Sequence, residues 1–259
     1  MKKIYRRIKK IKKKDIILLD MNGKGYEEYR VLKINDTVAE VLGMNDLTDM
    51  EYHKMSKIGM FNTYIGHLYS KTDLDNYLNI TWYNTLTEDA KNAIVQKNII
   101  QKMYNLTDYD NYYREPDPYL FYPKKVKIKG YVDHDLYHEC DTDCTYKGAD
   151  HSNHSYFLKV MDYKTVGKRY VYALGIEDIV EYTGNGKMRL NTRRVRKMFW
   201  NRKCVSRAHL WLNSAEAFTK SVFQIVGYSG EFWTAASSMS FAIRPAFQID
   251  LSKIEWRKK

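Results

Sequence analysis

Four of the chain's seven histidines and two of its three cysteines fall within one short stretch: His134, His138, Cys140, Cys144, His151 and His154. Imidazole and thiolate are the borderline-soft donors that Zn²⁺ prefers, and a tetrahedral site could draw on His134, His138, Cys140 and Cys144. The spacing, His-x3-His followed by Cys-x3-Cys, is unlike the common zinc-finger patterns. Two other readings stay open: a polar loop in which these residues coincide, and a loop closed by a local Cys140 to Cys144 disulfide. Asp133, Asp135, Glu139, Asp141, Asp143 and Asp150 add oxygen donors that would suit Ca²⁺, although no EF-hand pattern is present. A metal here would rigidify a loop too poor in apolar residues to fold alone. An open coordination position beside a pocket would instead make the stretch the centre of a metal-dependent enzyme. Zinc is the leading cofactor candidate, with Ca²⁺ the alternative.

The second chemistry is cationic. Residues 1 to 14 contain nine Lys or Arg and no acid, among them Lys2, Lys3, Arg6, Arg7, Lys9 and Lys10. With Arg257, Lys258 and Lys259 they account for the whole formal charge of +12, so residues 15 to 256 are balanced. Such an arm reads as a solvated, frayed end, or as one that lies on nucleic acid or an acidic partner. Ile4, Tyr5, Ile8 and Ile11 recur at about helical spacing, which would also suit a membrane surface. Arg193, Arg194, Arg196 and Lys197, with Phe199 and Trp200 beside them, read as a solvated helix face over aromatic core, or as a patch able to stack on nucleic acid.

Other catalytic signatures are missing from the 259 residues. There is no Gly-x-Ser-x-Gly elbow, no phosphate-binding Gly-rich loop and no His-Glu-x-x-His helix. No run approaches the ~20 apolar residues that cross a bilayer, and the basic start is followed only by Ile16-Ile-Leu-Leu19, too short for a secretory core. Three cysteines are too few and odd in number for a disulfide framework. Tyrosine, at 23 residues, is abundant and suits half-buried strands and recognition surfaces.

The elements that must position these residues begin with a hairpin: Asp15 to Asp20, a turn at Asn22-Gly23-Lys24-Gly25 carrying the type I′ signal, and Tyr29 to Ile34. A third strand, Val38 to Met44, follows a turn at Asn35-Asp36. Thr72 or Asp73 caps a helix with Leu74, Tyr77 and Leu78 on one face, and Thr87 caps a second with Ala90, Ala93 and Ile94 inward. Residues 104 to 131 read as an irregular surface segment leading into an alternating strand, 124 to 129. Residues 170 to 174 read as a strand, Ile176 to Tyr182 as a short helix, and Thr192 to Trp200 as a basic helix capped by Thr192. Four aromatic strands follow, around Trp211, Phe223, Trp233 and Phe247. The order is α+β rather than βαβ: a small antiparallel N-terminal sheet and two short helices, joined to a half with long irregular loops. The domain reading is a basic arm, 1 to 14, and one unit over 15 to 255.

Leu68-Tyr-Ser-Lys-Thr-Asp-Leu-Asp-Asn-Tyr-Leu-Asn79, Trp82 to Leu86, Ala90 to Val95, Trp211-Leu-Asn-Ser214, Gly227-Tyr-Ser-Gly230 and Ile243-Arg-Pro-Ala-Phe-Gln-Ile-Asp-Leu251 carry a resemblance. In that order, with the Tyr29 to Ile34 hairpin, they resemble an uncharacterised domain widespread in Firmicutes and their phages. The C-terminal half of that domain is similar to C-type-lectin-like and formylglycine-generating-enzyme-like folds. The resemblance implies a Trp-bearing strand and an Arg-containing closing strand around long loops, with Trp211, Trp233 and Arg244 maintaining the fold. It implies no catalysis, because formylglycine-generating enzymes use a cysteine pair in that half and Cys204 is the only cysteine after residue 144. Residues 134 to 154 look like an insertion relative to that domain.

The expectation is therefore a non-enzymatic phage virion module of tail, baseplate, fibre or capsid surface. It would be made in the host cytoplasm, assemble as an oligomer with other virion proteins, and meet a receptor or packaged DNA. The competing expectations are the metal-dependent enzyme and a basic nucleic-acid-binding protein.

Overall fold

Local chemistry sets the first strand pair. In the computed structural model, which describes residues 8, 10–51, 69–108, 135–139, 155–183, 189–199, 209–216, 221–226, 231–236 and 240–259, β1 (Ile16–Leu19) and β2 (Glu27–Asn35) pair antiparallel, with Ile17 opposite Tyr29. Their connection, residues 20 to 26, is longer than the two-residue type I′ turn that Asn22-Gly23 signals. That turn needs positive φ at both central residues, and here Gly23 and Gly25 take it (74° and 118°) while Asn22 does not. Instead the Asn22 side chain accepts the Lys24 amide (2.9 Å) and Asp20 accepts the Gly25 amide (3.2 Å), the local bonding that makes Asx turns. β3 (Val38–Gly43) follows across a tight turn whose Asp36 has φ 50°. Val31 faces Val41 and Lys33 faces Glu40, so Leu32 is an extra residue. This bulge lets Val31 and Leu32 both reach the core, against strict alternation.

β4 (Asp49–Glu51) precedes the helical segment. There Thr72 caps α1 (Asp73–Asn76) by accepting the Asp75 amide, and the chain continues through π-helical turns, Tyr77–Trp82. Thr87 caps α2 (Glu88–Ala93) by accepting the Ala90 amide. Leu74, Leu78, Ala90 and Ala93 are fully buried, as the pattern predicts; Ile94 is buried too, but as the start of β5 (Ile94–Val95).

Then come β6 (Lys97–Asp108), β7 (Asp135–Glu139), β8 (Ser155–Arg169) and β9 (Val171–Tyr172). α3 (Ile176–Thr183), β10 (Arg189–Asn191) and α4 (Thr192–Phe199) follow. The chain closes with β11 (His209–Glu216), β12 (Ser221–Val226), β13 (Glu231–Ala236), β14 (Ser240–Ala242), β15 (Ala246–Asp250) and β16 (Trp256–Lys258). α4 begins at Thr192 rather than being capped by it, and the segment from 104 to 108, read as irregular, is strand. The expected strand at 124 to 129 lies outside the described residues.

Two sheets result, and the class is α+β. The first runs β16-β1-β2-β3-β15-β5, all antiparallel, with β9 also against β15. The second is mixed: β10-β7-β8-β6-β11-β12-β13, with β14 beside β11 and β4 beside β14. A strand from near the C-terminus, β15, therefore sits inside the N-terminal sheet. Its Phe247 packs edge-on against Tyr29 (5.4 Å between centroids) and tilted against Trp82 (6.0 Å). One continuous apolar cluster joins Ile8, Ile11, Tyr29, Leu74, Phe199, Trp211 and Phe247. Among the described residues no helix is long and apolar enough to cross a membrane.

Candidate functional site

Among the described residues, a group of four ionisable side chains forms where the first sheet meets α3. Glu40 comes from β3, Lys97 opens β6, Tyr172 lies on β9 and Asp178 is the third residue of α3. The Lys97 ammonium donates to Glu40 (2.7 Å) and Asp178 (2.9 Å) and lies 4.8 Å from the centre of the Tyr172 ring. The Tyr172 hydroxyl donates to the same Glu40 oxygen at 2.5 Å. Asp178 also accepts the Gly175 amide (2.8 Å), the return half of a capping box at the start of α3. Burial alone would lower the lysine's pKa, but the combined attraction of Asp178 and Glu40 outweighs it and the pKa ends raised. Burial, reinforced by both carboxylates, lifts the Tyr172 phenol well above its ordinary value. The ammonium is held charged and the phenol neutral, so neither is a base near neutral pH, and the Asp178 carboxyl, which burial raises, is engaged by Lys97 and the Gly175 amide. The group is a clamp between elements.

A second cluster serves the segment 170 to 174. Asn79 accepts the Tyr170 and Val171 amides (both 3.2 Å) and donates to the Val171 carbonyl (2.8 Å). The Tyr69 hydroxyl accepts the Ala173 amide (3.0 Å), and Asn213 donates to the Ala173 carbonyl (2.8 Å). These side chains take the place of a neighbouring strand, satisfying backbone groups that would otherwise be buried unpaired. Asp75 fixes Asn79 by accepting from its amide (2.9 Å) and is itself held by Arg169 Nε at 2.9 and 3.0 Å.

The same segment demands glycine at 175. A Cβ there would lie 2.8 Å from Asn213 Oδ1, on an amide pinned to Ala173. Gly175→Ala is expected to cost about 1–3 kcal/mol, read as a lower urea midpoint with unchanged slope. Wild-type stability in that variant would mean the Asn213 amide can move aside freely.

Arg244 ties two distant segments together rather than forming a two-pronged fork on one carboxylate. Its Nε donates to Asp46 (2.6 Å) and its Nη1 to the Phe199 carbonyl at the end of α4, where a cation also meets the negative end of the helix dipole. Trp211 is buried edge-on against Phe241 at 4.6 Å. Both residues hold the fold; the side chain of Trp233 lies outside the described residues.

No family model, curated protein or solved structure matches this chain.

Of the expected zinc donors, the structure describes only the backbone of His138, in β7 between Tyr156 of β8 and Leu190 of β10, and of the oxygen donors the backbones of Asp135 and Glu139 in the same strand. His134, Cys140, Cys144, His151 and His154 lie outside the described residues. Among the described residues no three His, Cys, Asp or Glu are grouped to hold a metal. On α4, Val195, Met198 and Phe199 are buried and Lys197 is exposed, the pattern of a solvated face over core; the side chains of Arg193, Arg194 and Arg196 are outside the description.

The arm is settled differently from either a frayed or a membrane-lying end, as far as it is described. Lys2, Lys3, Arg6, Arg7 and Lys9 lie outside the described residues, but Ile8 and Ile11 are buried in the core. The Lys14 amide donates to the Val31 carbonyl (2.9 Å), and the Lys13 ammonium to the Glu181 carbonyl (2.8 Å). Exposed Lys10 stands beside the other chain end: the Lys258 ammonium reaches the Lys10 carbonyl (3.3 Å) and the Asp15 carboxylate (2.7 Å). β16 pairs with β1, Lys259 pairs with Glu28, and Arg257 lies 4.2 Å over the Tyr26 ring. The two basic ends of the sequence thus meet on one sheet edge.

Proposed function

We propose that this chain is a non-enzymatic structural and interaction module of a bacteriophage particle, in the tail, baseplate, fibre or capsid surface, presenting its loops to a receptor or to neighbouring subunits. The observation that carries the non-enzymatic half is the matching of ionisable groups across elements. Lys97 bridges β3 and α3, Arg169 holds α1, and Arg244 ties Asp46 to the end of α4. Removing one partner of a buried pair destabilises strongly, so these groups serve architecture. The particle half comes from the resemblance carried by Leu68 to Asn79, Trp211 to Ser214 and Ile243 to Leu251. A fold hosts many functions, so the particle is tested directly. Mass spectrometry of particles purified from the source culture should recover this chain at the abundance of other structural proteins. Its presence in the lysate and absence from the particles would overturn the assignment.

A further inference from the structure

We propose that the arm, docked against the last strand, forms a docking face for the phosphate backbone of duplex nucleic acid, with Lys10, Lys12 and Lys14 as its contacts. This stands apart from the particle assignment, since the face would bind polyphosphate wherever the protein resides. Three observations place the face. The last strand is zipped to β1 through Ile17 opposite Lys258, and the Lys259 amide donates to the Ile16 carbonyl (3.0 Å), which fixes the C-terminal cations beside the arm. Asp15, Glu28 and Glu255 are already engaged by Lys258, Lys259 and Arg257. Among the described residues the Lys10, Lys12 and Lys14 ammonium groups form no ion pair with a carboxylate, and all three residues are exposed.

The chemistry of the face selects the partner. A membrane-binding arm must insert its apolar side, and Ile8 and Ile11, half of that side, are already buried in the protein core. Protein interfaces are poor in lysine and depend on several apolar anchors, whereas here the neighbouring aromatic is the single Tyr26, whose ring already carries the Arg257 guanidinium. Duplex nucleic acid presents about one negative charge per 1.7 Å of axis, and lysines act on it as point charges without needing register. Recognition through phosphates alone positions the protein and carries no sequence information.

The test is fluorescence anisotropy of a labelled mixed-sequence duplex with the full chain, over salt from about 50 to about 200 mM. The expected result is micromolar binding, equal for two unrelated duplexes, that weakens steeply with salt. The Lys10→Gln, Lys12→Gln, Lys14→Gln triple variant should bind about tenfold more weakly, with a log–log salt slope shallower by about 3, given roughly 0.9 for each phosphate that a lysine neutralises. Its melting temperature should be unchanged, because all three side chains are exposed. No duplex binding, or a triple variant with the wild-type slope, would overturn the proposal. So would equal affinity for polyglutamate, which would assign the face to acidic proteins, or capture by phosphatidylserine vesicles without duplex binding, which would assign it to a membrane.

Discussion

Raising the pH from about 9 to about 12 is expected to unfold this protein cooperatively, with the loss of circular dichroism coinciding with a step in tyrosinate absorbance. Tyr29, Tyr69 and Tyr172 are among the largest fully buried side chains. Burial is the first cause lifting all three phenols above their ordinary value, and nearby carboxylates add to it: Glu27 beside Tyr29, Asp75 near Tyr69, and Glu40 with Asp178 near Tyr172. The sign follows from linkage. Below about pH 10 a phenol is neutral in both states and contributes no pH dependence. Above that value the unfolded chain ionises while the folded one does not, so each buried phenol removes about 1.4 kcal/mol of stability per pH unit. Three together remove about 4 kcal/mol per unit from a total that is about 5–15 kcal/mol for a folded domain. Lys97 acts in the same direction: its folded pKa is raised, so its contribution is complete below the ordinary lysine value and is lost as the pH rises through the folded one. Phenols that titrate gradually near pH 10 with the dichroism intact would show that solvent reaches them in the folded state.

What could be read from the sequence was local. The β1 to β3 meander, the caps at Thr72 and Thr87, and the inward faces led by Leu74 and Ala90 depend on residues a few positions apart, and the structure has them. Ile8 and Ile11 were visible as a helical repeat, and that pattern is a burial pattern, although nothing in it tells core from membrane. Pairings between distant segments left no such trace. β6 and β8 run side by side from Lys97–Arg169 to Asp108–Tyr156, yet residues 104 to 108 read locally as irregular surface and 155 to 169 as no element, because such strands are stabilised by their partner. The insertion of β15 between β3 and β5 and the meeting of the two basic ends belong to the same class. Asn79 is the instructive omission. Four residues after Asp75 it shares a helix face with that carboxylate, a spacing present in the sequence, but the backbone it serves at 170 and 171 is set by tertiary packing.

Lys97→Met should destabilise the protein by about 3 kcal/mol at neutral pH, the lower end for breaking a buried pair, because the lysine side chain keeps 23% exposure. Methionine fills the stem but removes the charge between Glu40 and Asp178, leaving two carboxylates without their shared cation and with only the Tyr172 hydroxyl and the Gly175 amide as donors in this cluster. Burial already raises the Asp178 carboxyl against the pull of Lys97, with Glu40 adding to it; without the lysine it should rise further. A carboxyl whose folded pKa lies above its unfolded one penalises the fold above that folded value and releases the penalty as the pH falls through it. The deficit of the variant relative to wild type, measured by urea unfolding, should therefore shrink as the pH is lowered from neutral toward the ordinary carboxylate range. Lys97→Met combined with Glu40→Gln should recover part of the loss at neutral pH, since one of the two like charges is gone and the Tyr172 hydroxyl keeps an acceptor. A Lys97→Met variant as stable as wild type at neutral pH would mean that the carboxylates are hydrated rather than clamped, and the architectural reading of this cluster would fall with it.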